Sequence, residues 1–231
     1  MQPYAELLAE EYERRNPGYY IDVQGGGSSS GIQAAVSGAA DMGMSSRALR
    51  GAELDLWSVM IARDGLALIV HPSNDLDGLS LAEIRGIFDG TITNWRELGG
   101  RDARIHVTVR EEGSGTRSAF DELVMGDHFV TTRAIVQDSN GAVRQLVSSD
   151  RNAIGFLSLG LVDDIVKALS IEGMAPTFEN VMTGAYTLYR PFLFVGGEST
   201  EPTGKAMRFI EFILSEDGQR LLANEGLIPM R

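Results

Sequence analysis

The segment IHVTVREEGSGTRSAF, residues 105–120, decides the fold class, because apolar residues alternate along a short strand that leads into a glycine loop and a helix. An earlier segment, YYIDVQGGGSSSGIQAAV at residues 19–36, has the same order of strand, glycine and serine loop, and helix. Strands that alternate with helices in this way predict an α/β fold with helices on both faces of parallel sheets.

Periodicity extends this alternation along the chain. Helices are expected over residues 3–15, 32–36, 81–88, 117–125, 142–147, 203–214 and 216–224, and strands over residues 19–23, 66–70, 105–109, 153–157 and 188–195. The apolar run LALIV at residues 66–70 is typical of a strand buried in a parallel sheet.

Two breaks that contain proline divide the chain into lobes. They lie near residues 71 and 191, and they predict two lobes joined by two crossings. Lobe one is expected to comprise residues 1–70 and 186–231, and lobe two residues 71–185.

Composition and charge exclude several classes of function. The 231 residues include 20 Lys and Arg against 32 Asp and Glu, and this net charge of −12 repels nucleic acids and anionic membrane surfaces. The chain has no cysteine, so it can form neither a disulfide nor a thiolate metal site. Its three histidines are scattered and no nucleotide-binding glycine motif is present, so no metal and no cofactor is expected.

Neither a membrane span nor an export signal is expected in this chain. The apolar run at residues 66–70 is far shorter than the roughly 20 residues of a spanning helix. The N-terminal stretch MQPYAELLAEEYERR is charged and amphipathic, unlike the apolar region of a signal peptide.

The two loops that follow the predicted strands point to anion binding. The first loop, residues 25–31, and the second loop, residues 113–116, each place small and hydroxyl residues before a helix, where unpaired backbone N–H groups attract negative charge. Arg110 precedes the second loop and can donate two parallel hydrogen bonds to an oxyanion. A third hydroxyl pair, Ser45 and Ser46, is followed by Arg47.

The first loop also matches a different class of protein. Residues 27–31, GSSSG, fit the G-x-S-x-G pattern of serine hydrolases, with Ser29 as the nucleophile. His71, His106 or His128 could then act as the base. Only one helix and one strand are predicted before Ser29, whereas that fold draws an oxyanion-hole N–H from an earlier strand loop.

Motifs along nearly the whole chain resemble the phosphate-binding proteins of bacterial ABC phosphate transporters, a family of two-lobed periplasmic solute receptors. The motifs that carry the resemblance are LLAEEYERRNPG, VQGGGSSSGIQAAVSGAADMGMSSRAL, ARDGLALIVHPSN, LAEIRGIFDGTITNW, REEGSGTRSAF, SNGAVRQLV, NAIGFLSLG and FIEFILSEDGQRLLANEGLIPM. The resemblance implies a two-lobed periplasmic-binding-protein fold of type II, with a tetrahedral oxyanion in the interlobe cleft. It also implies that the family's first strand and loop are missing from lobe one, because they would precede Met1.

The resemblance further implies which residues bind the ligand. They are Ser28, Ser46, Arg110, Ser114, Gly115 and Thr116, with Glu112 as the acidic partner that orients the arginine. Some members of the family carry, at the position of Ser46, an aspartate that accepts the proton of hydrogen phosphate. Because a serine stands here, a receptor for sulfate, molybdate or tungstate remains an alternative to one for phosphate.

The resemblance also implies a partner and a location. The expected function is to bind inorganic phosphate outside the cytoplasm and deliver it to a membrane-embedded ABC transporter permease. The protein would act in the periplasm or on the extracellular face of the cell membrane, as a binding protein without enzymatic activity.

Overall fold

The chain divides into two compact α/β units. The computed structural model describes residues 1–198 and 201–230. Unit 1 comprises Met1–Asp64 and Arg190–Arg231, and unit 2 comprises Gly65–Tyr189. The chain therefore passes from one unit to the other twice, and the lobe limits expected from the sequence stay predictions.

Helices and strands alternate in both units. The helices are α1 (Gln2–Arg15), α2 (Ser28–Val36), α3 (Leu81–Asp89), α4 (Gly115–Phe120), α5 (Asn140–Ser149), α6 (Phe178–Met182), α7 (Gly204–Leu214) and α8 (Glu216–Asn224). The strands are β1 (Gly43–Ser45), β2 (Ser58–Val70), β3 (Gly78–Leu79), β4 (His106–Arg110), β5 (Ile135–Gln137), β6 (Ala153–Ser158), β7 (Lys167–Ala168), β8 (Ser170–Ile171) and β9 (Tyr189–Val195). None of the helices described is long and apolar enough to cross a bilayer.

In unit 1, α1 packs on a small sheet through aromatic side chains. Strand β1 pairs antiparallel with β9, and β9 lies beside the first part of β2. Tyr12 of α1 contacts Phe209 and Phe212 of α7, with ring centroids 5.4 and 5.3 Å apart. This packing explains why the helical spacing of Tyr4, Leu8 and Tyr12 is visible in the sequence, because all three are buried on one face.

In unit 2, a mixed sheet positions the second loop. Strand β6 pairs antiparallel with the end of β2 and parallel with β4, which in turn pairs parallel with β5. The buried rings of Phe88 and Phe120 pack against Phe156 of β6. The rings of Phe120 and Phe156 stack with centroids 4.0 Å apart, so they fix α4, and the loop before it, against the sheet.

The prediction that residues 66–70 lie in a parallel sheet was wrong. This part of β2 is antiparallel to both β6 and β7. All five residues are fully buried. A continuous apolar run reports burial on both faces of a sheet, and it does not report the direction of the neighbouring strands.

The predicted strand at residues 19–23 is also absent from the described structure. The segment is extended, and Tyr19, Ile21 and Val23 pack against the core cluster of unit 1. Tyr20 and Asp22 face outward. The alternation therefore arises from packing on one side, without a neighbouring strand in the part of the chain that the structure describes.

Candidate anion-binding loops

The first loop begins α2 and brings two serines together. Ser28 is the first residue of α2 and is almost fully buried. Its hydroxyl accepts a 3.0 Å hydrogen bond from the Ser46 N–H, and the two hydroxyl oxygens are 3.3 Å apart. No side chain caps α2, so its first N–H groups are available to an anion.

Close backbone contact between α2 and β1 sets this geometry. A Cβ atom at Gly43 would lie 2.8 Å from the carbonyl carbon of Gly31, and one at Gly31 would lie 2.8 Å from the Met44 carbonyl oxygen. Only glycine at both positions permits this approach. The turn after β1 consequently carries Ser46 to the start of α2.

Arg47 is a buried side chain beside the first loop. It is 2% exposed and donates hydrogen bonds of 2.7 and 2.8 Å to the two carboxylate oxygens of Glu53. The hydrogen bonds from Arg47 lower the pKa of Glu53 and outweigh the opposing effect of its burial. The sequence drew attention to Arg47, but it did not indicate Glu53 as its partner.

The second loop forms a tight turn between β4 and α4. The Ser114 N–H donates to the Glu111 carbonyl oxygen at 3.2 Å, and the Ser114 hydroxyl accepts from the Arg117 N–H at 3.3 Å. Ser114 is thus the N-cap of α4. Ser114, Gly115 and Thr116 are all buried.

Arg110 lies at the end of β4, and most of its donors are occupied. Its Nε and Nη2 donate to the two carboxylate oxygens of Glu111, both at 2.9 Å. Nη2 also donates to the Asp138 carbonyl oxygen, and Nη1 donates to the Asn140 side-chain oxygen, both at 3.0 Å. Nothing in the sequence indicated that Asp138 and Asn140 hold this arginine.

The expected acidic partner of Arg110 requires a correction. Glu112 was expected to fill this role, but the side chain paired with Arg110 in the structure is Glu111. Glu112 is exposed, in the turn before Gly113, whereas the half-buried Glu111 directly follows β4 and folds back along the guanidinium group.

The hydroxyl and histidine groups that a hydrolase would need have other partners. The Ser29 hydroxyl lies 3.4 Å from Nη2 of Arg47, and an arginine cannot act as the general base. His71 bonds Ser73, His106 bonds Asp150 and His128 bonds Asp89, all within unit 2. Among the residues described, no group of histidine and carboxylate side chains could hold a metal ion.

The fold and the loops together define a class of protein. Each of the two α/β units carries a loop of hydroxyl and backbone N–H donors at the start of a helix, and unit 2 adds an arginine beside it. Such loops suit an oxyanion that gives up its water for fixed donors. These are the features of a two-lobed solute receptor of the periplasmic-binding class.

Comparisons with known proteins agree with this class. Residues 1–217 match the model of the PBP superfamily domain. The chain is 35% identical over 237 residues to the phosphate-binding protein PstS of Bacillus subtilis, covering 100% of this chain and 78% of that protein. It is 29% identical over 253 residues to PstS of Pseudomonas aeruginosa strain PAO1, covering 97% and 78%.

Solved structures give the same result. A phosphate ABC transporter substrate-binding protein from Clostridium perfringens, with bound phosphate, is 42% identical with a TM-score of 0.92, covering 100% of this chain and 96% of that one. A phosphate transport receptor from Vibrio cholerae is 38% identical with a TM-score of 0.88, covering 98% and 95%. The chain therefore belongs to the PBP superfamily and, within it, to the family of PstS phosphate-binding proteins.

Proposed function

We propose that this protein is a receptor that binds inorganic phosphate outside the cytoplasm and delivers it to the permease of an ABC transporter. The observation that carries the proposal is the pair of donor loops, at Ser28 and at Ser114, in a chain whose relatives are named for phosphate binding. The permease partner and the location in the periplasm or at the outer face of the cell membrane are proposed on the basis of the same relationship.

The proposed ligand-binding residues supply two kinds of hydrogen-bond donor, one charged and the others neutral. Arg110 supplies the positive charge and a planar pair of donors. Backbone N–H groups and hydroxyls supply neutral donors, from Ser28 and Ser46 in unit 1 and from Ser114, Gly115 and Thr116 in unit 2. Fixed donors of this kind replace the hydration shell of phosphate, and charge-assisted bonds contribute about 1.5–3 kcal/mol each.

The acidic composition of the chain is compatible with this function. Salt screens the interaction between exposed charges that lie more than about 8–10 Å apart. The net charge of −12 therefore repels a phosphate ion at the loops only weakly. The short hydrogen bonds act inside that distance. Micromolar affinity corresponds to a binding free energy of about 8 kcal/mol. A few charge-assisted hydrogen bonds supply this amount after the costs of desolvation and closure are subtracted.

One experiment distinguishes this proposal from two alternatives, a receptor for another oxyanion and a serine hydrolase. The protein would be titrated with phosphate, sulfate, molybdate and tungstate in a thermal-shift assay, beside a colorimetric ester-hydrolysis assay. We expect the largest stabilisation with phosphate and no ester turnover. A larger shift with sulfate, molybdate or tungstate would identify a receptor for that oxyanion instead.

The Ser29→Ala variant tests the hydrolase alternative directly. Ester turnover in the parent chain that disappears in this variant would contradict the proposal and identify Ser29 as a nucleophile. We expect the variant to keep the phosphate affinity of the parent, because the proposed ligand-binding serine of this loop is Ser28.

A further inference from the structure

Unit 2 contains a cavity of about 270 Å³ that shares no residue with either loop. Its inner wall is apolar and includes Ile87 of α3, Ile105 before β4 and Val107 of β4, none of which is more than 7% exposed. Ile92 and Ile135 complete the apolar lining. The cavity is open to solvent on the side of Ile135, which is 40% exposed, and its buried apolar wall favours the nonpolar part of a small molecule.

The walls of the cavity are fixed by backbone hydrogen bonds. The Thr131 N–H donates to the Phe88 carbonyl oxygen, and the Ile105 N–H donates to the Thr93 carbonyl oxygen, both at 2.8 Å. Gly90, at φ 86°, ends α3 in the left-handed conformation, and a Cβ atom there would lie 3.0 Å from the Thr131 hydroxyl oxygen. The cavity is therefore formed before any ligand arrives.

The charged groups that line the cavity are all basic. Arg104 and Arg133 reach it from two different segments, and no aspartate or glutamate is among its lining residues. Neither guanidinium group has a hydrogen-bond or ion-pair partner in the part of the chain that the structure describes. In a chain with a net charge of −12, two unpaired arginines at one apolar cavity mark a local preference for an anion.

One polar side chain at the cavity, His106, is held in a fixed orientation. The Nδ1 atom of His106 lies 2.6 Å from a carboxylate oxygen of Asp150, so its ring is held and Nε2 has no partner among the described residues. Thr93 and Thr131 also line the cavity, and a threonine hydroxyl can donate a neutral hydrogen bond. The cavity thus combines an apolar wall with donors and two cations.

We propose that this cavity is a second ligand site, which takes a small organic carboxylate with an apolar body. The carboxylate would bind Arg104 and Arg133, and the hydrocarbon part would lie against Ile87, Ile105 and Val107. Arginine recognises a carboxylate through two parallel hydrogen bonds, and the isoleucine and valine side chains remove the hydrocarbon from water. Inorganic phosphate lacks the apolar part and is a poor occupant.

The test uses 4-methylpentanoate as the probe, with the whole chain and an excess of phosphate present so that the loops are supplied with their proposed ligand. Binding would be followed by saturation-transfer NMR of the probe and by the chemical shifts of the isoleucine methyl groups. We expect saturable binding in the millimolar range or tighter, with shifts at Ile87 and Ile105. The neutral amide of the same acid should bind at least about tenfold more weakly, because it forms no charge-assisted bond.

Arginine variants separate this site from a nonspecific anion effect. Arg104→Gln and Arg133→Gln should each weaken probe binding by about tenfold. Arg96→Gln is the matched control, because Arg96 is an exposed arginine of the same unit that lies outside the cavity and pairs with Asp102. Phosphate affinity should stay unchanged in all three variants.

Several results would overturn the proposal. They are the absence of saturable binding, equal binding of the acid and its amide, and equal losses in the control and the cavity variants. Failure of phosphate binding in the parent chain would instead contradict the function proposed for the loops, so the two proposals fail independently.

Discussion

The carboxylate of Glu111 occupies the guanidinium group of its neighbour Arg110 through two hydrogen bonds of 2.9 Å. Nε and Nη2 are one of the two donor pairs through which an arginine can bind an oxyanion with parallel hydrogen bonds, and both are engaged by this contact. An anion that binds Arg110 in this manner must displace Glu111. We therefore expect the neighbouring carboxylate to compete with the proposed ligand of Arg110 and to lower its affinity.

Neutralising Glu111 should strengthen phosphate binding. We expect Glu111→Gln to bind phosphate roughly three- to tenfold more tightly, because the competing charged bonds and a like charge beside the anion are both removed. Isothermal titration calorimetry would measure the change. Glu112→Gln is the control, since it makes the same change in charge one residue away, at an exposed side chain. Unchanged or weaker binding in Glu111→Gln would refute the competition.

Removing Arg110 should cost more affinity than removing the Ser114 hydroxyl. Arg110→Ala deletes a charged donor pair, whereas Ser114→Ala deletes a neutral hydroxyl and leaves the nearby N–H groups in place. Ser114→Ala should also lower the free energy of unfolding by about 1 kcal/mol, because Ser114 caps α4. Calorimetric titration with phosphate, and urea unfolding, would separate the two effects. Unchanged affinity in both variants would remove these residues from the site.

Ser46 is expected to limit the discrimination between phosphate and sulfate. Near neutral pH phosphate keeps a proton that an ionised aspartate would accept, while the same aspartate would repel fully ionised sulfate. A serine hydroxyl can accept from phosphate or donate to sulfate. Asp64 is another carboxylate of unit 1, but it is not expected to accept the phosphate proton, because it is fully buried and paired with Arg190.

Ser46→Asp should therefore raise the ratio of phosphate to sulfate affinity by about ten- to a hundredfold. Competition titrations with both anions would measure the ratio in the parent chain and the variant. A strong preference for phosphate in the parent, unaltered by the substitution, would show that other residues discriminate.

The ion pair of Glu53 with Arg47 should make stability depend on pH. Because the pKa of Glu53 is lower in the folded protein than in the unfolded chain, its stabilisation is present above the unfolded value, near 4.3, and is lost as pH falls through the folded value. Glu53→Gln should reduce the slope of unfolding free energy against pH in this acidic range. Urea unfolding from pH 6 to pH 3 would measure it. Glu10→Gln, an exposed carboxylate on α1, is the control; equal slopes in the two variants would contradict the prediction.

The buried pair of Asp64 and Arg190 joins β2 to β9 within unit 1. Nε and Nη2 of Arg190 donate hydrogen bonds of 3.0 and 2.7 Å to Asp64, and neither residue is more than 3% exposed. Asp64→Ala should destabilise the protein by about 3–5 kcal/mol, because it leaves a buried guanidinium group without its carboxylate. Denaturant unfolding would measure this loss.

Two further variants test the origin of that loss. Replacing both residues, as Asp64→Leu with Arg190→Met, should cost less than Asp64→Ala, since no buried charge remains. Asp163→Asn, which breaks a partly exposed pair with Arg144, should cost less than about 1 kcal/mol. A loss as large in Asp163→Asn as in Asp64→Ala would show that burial is not the cause.

The sequence predicted best those helices whose apolar residues recur at helical spacing, because this spacing indicates which face is buried. Helix α1 has one buried face. Helix α8 begins at Glu216, directly after its N-cap Ser215, and buries Leu222. Strand direction left no such signal, so the antiparallel pairing of residues 66–70 could not be predicted from their composition. It depends on which strands arrive beside β2 from distant parts of the chain.

The choice between Glu111 and Glu112 shows why site details escaped prediction. The two residues are identical and adjacent, so composition and spacing do not separate them. The difference arises in three dimensions, because the Glu111 side chain folds back onto the guanidinium group that Asn140 and Asp138 also hold, whereas Glu112 is exposed. Asn140 and Asp138 follow β5 in the chain, and only the sheet brings them beside the end of β4.

The division of the chain also sets an order in which its parts can fold during synthesis. Unit 2 is one uninterrupted segment, so all of its residues are available once Tyr189 has left the ribosome. Unit 1 needs both ends of the chain, and Arg15 pairs with Asp217, 202 positions later. Until α7 and α8 have been made, the apolar face of α1 lacks the part of its cover that Phe209, Ile213 and Leu222 supply, and that part is exposed to association with other chains. The last helices to be synthesised thus determine when the first one is protected.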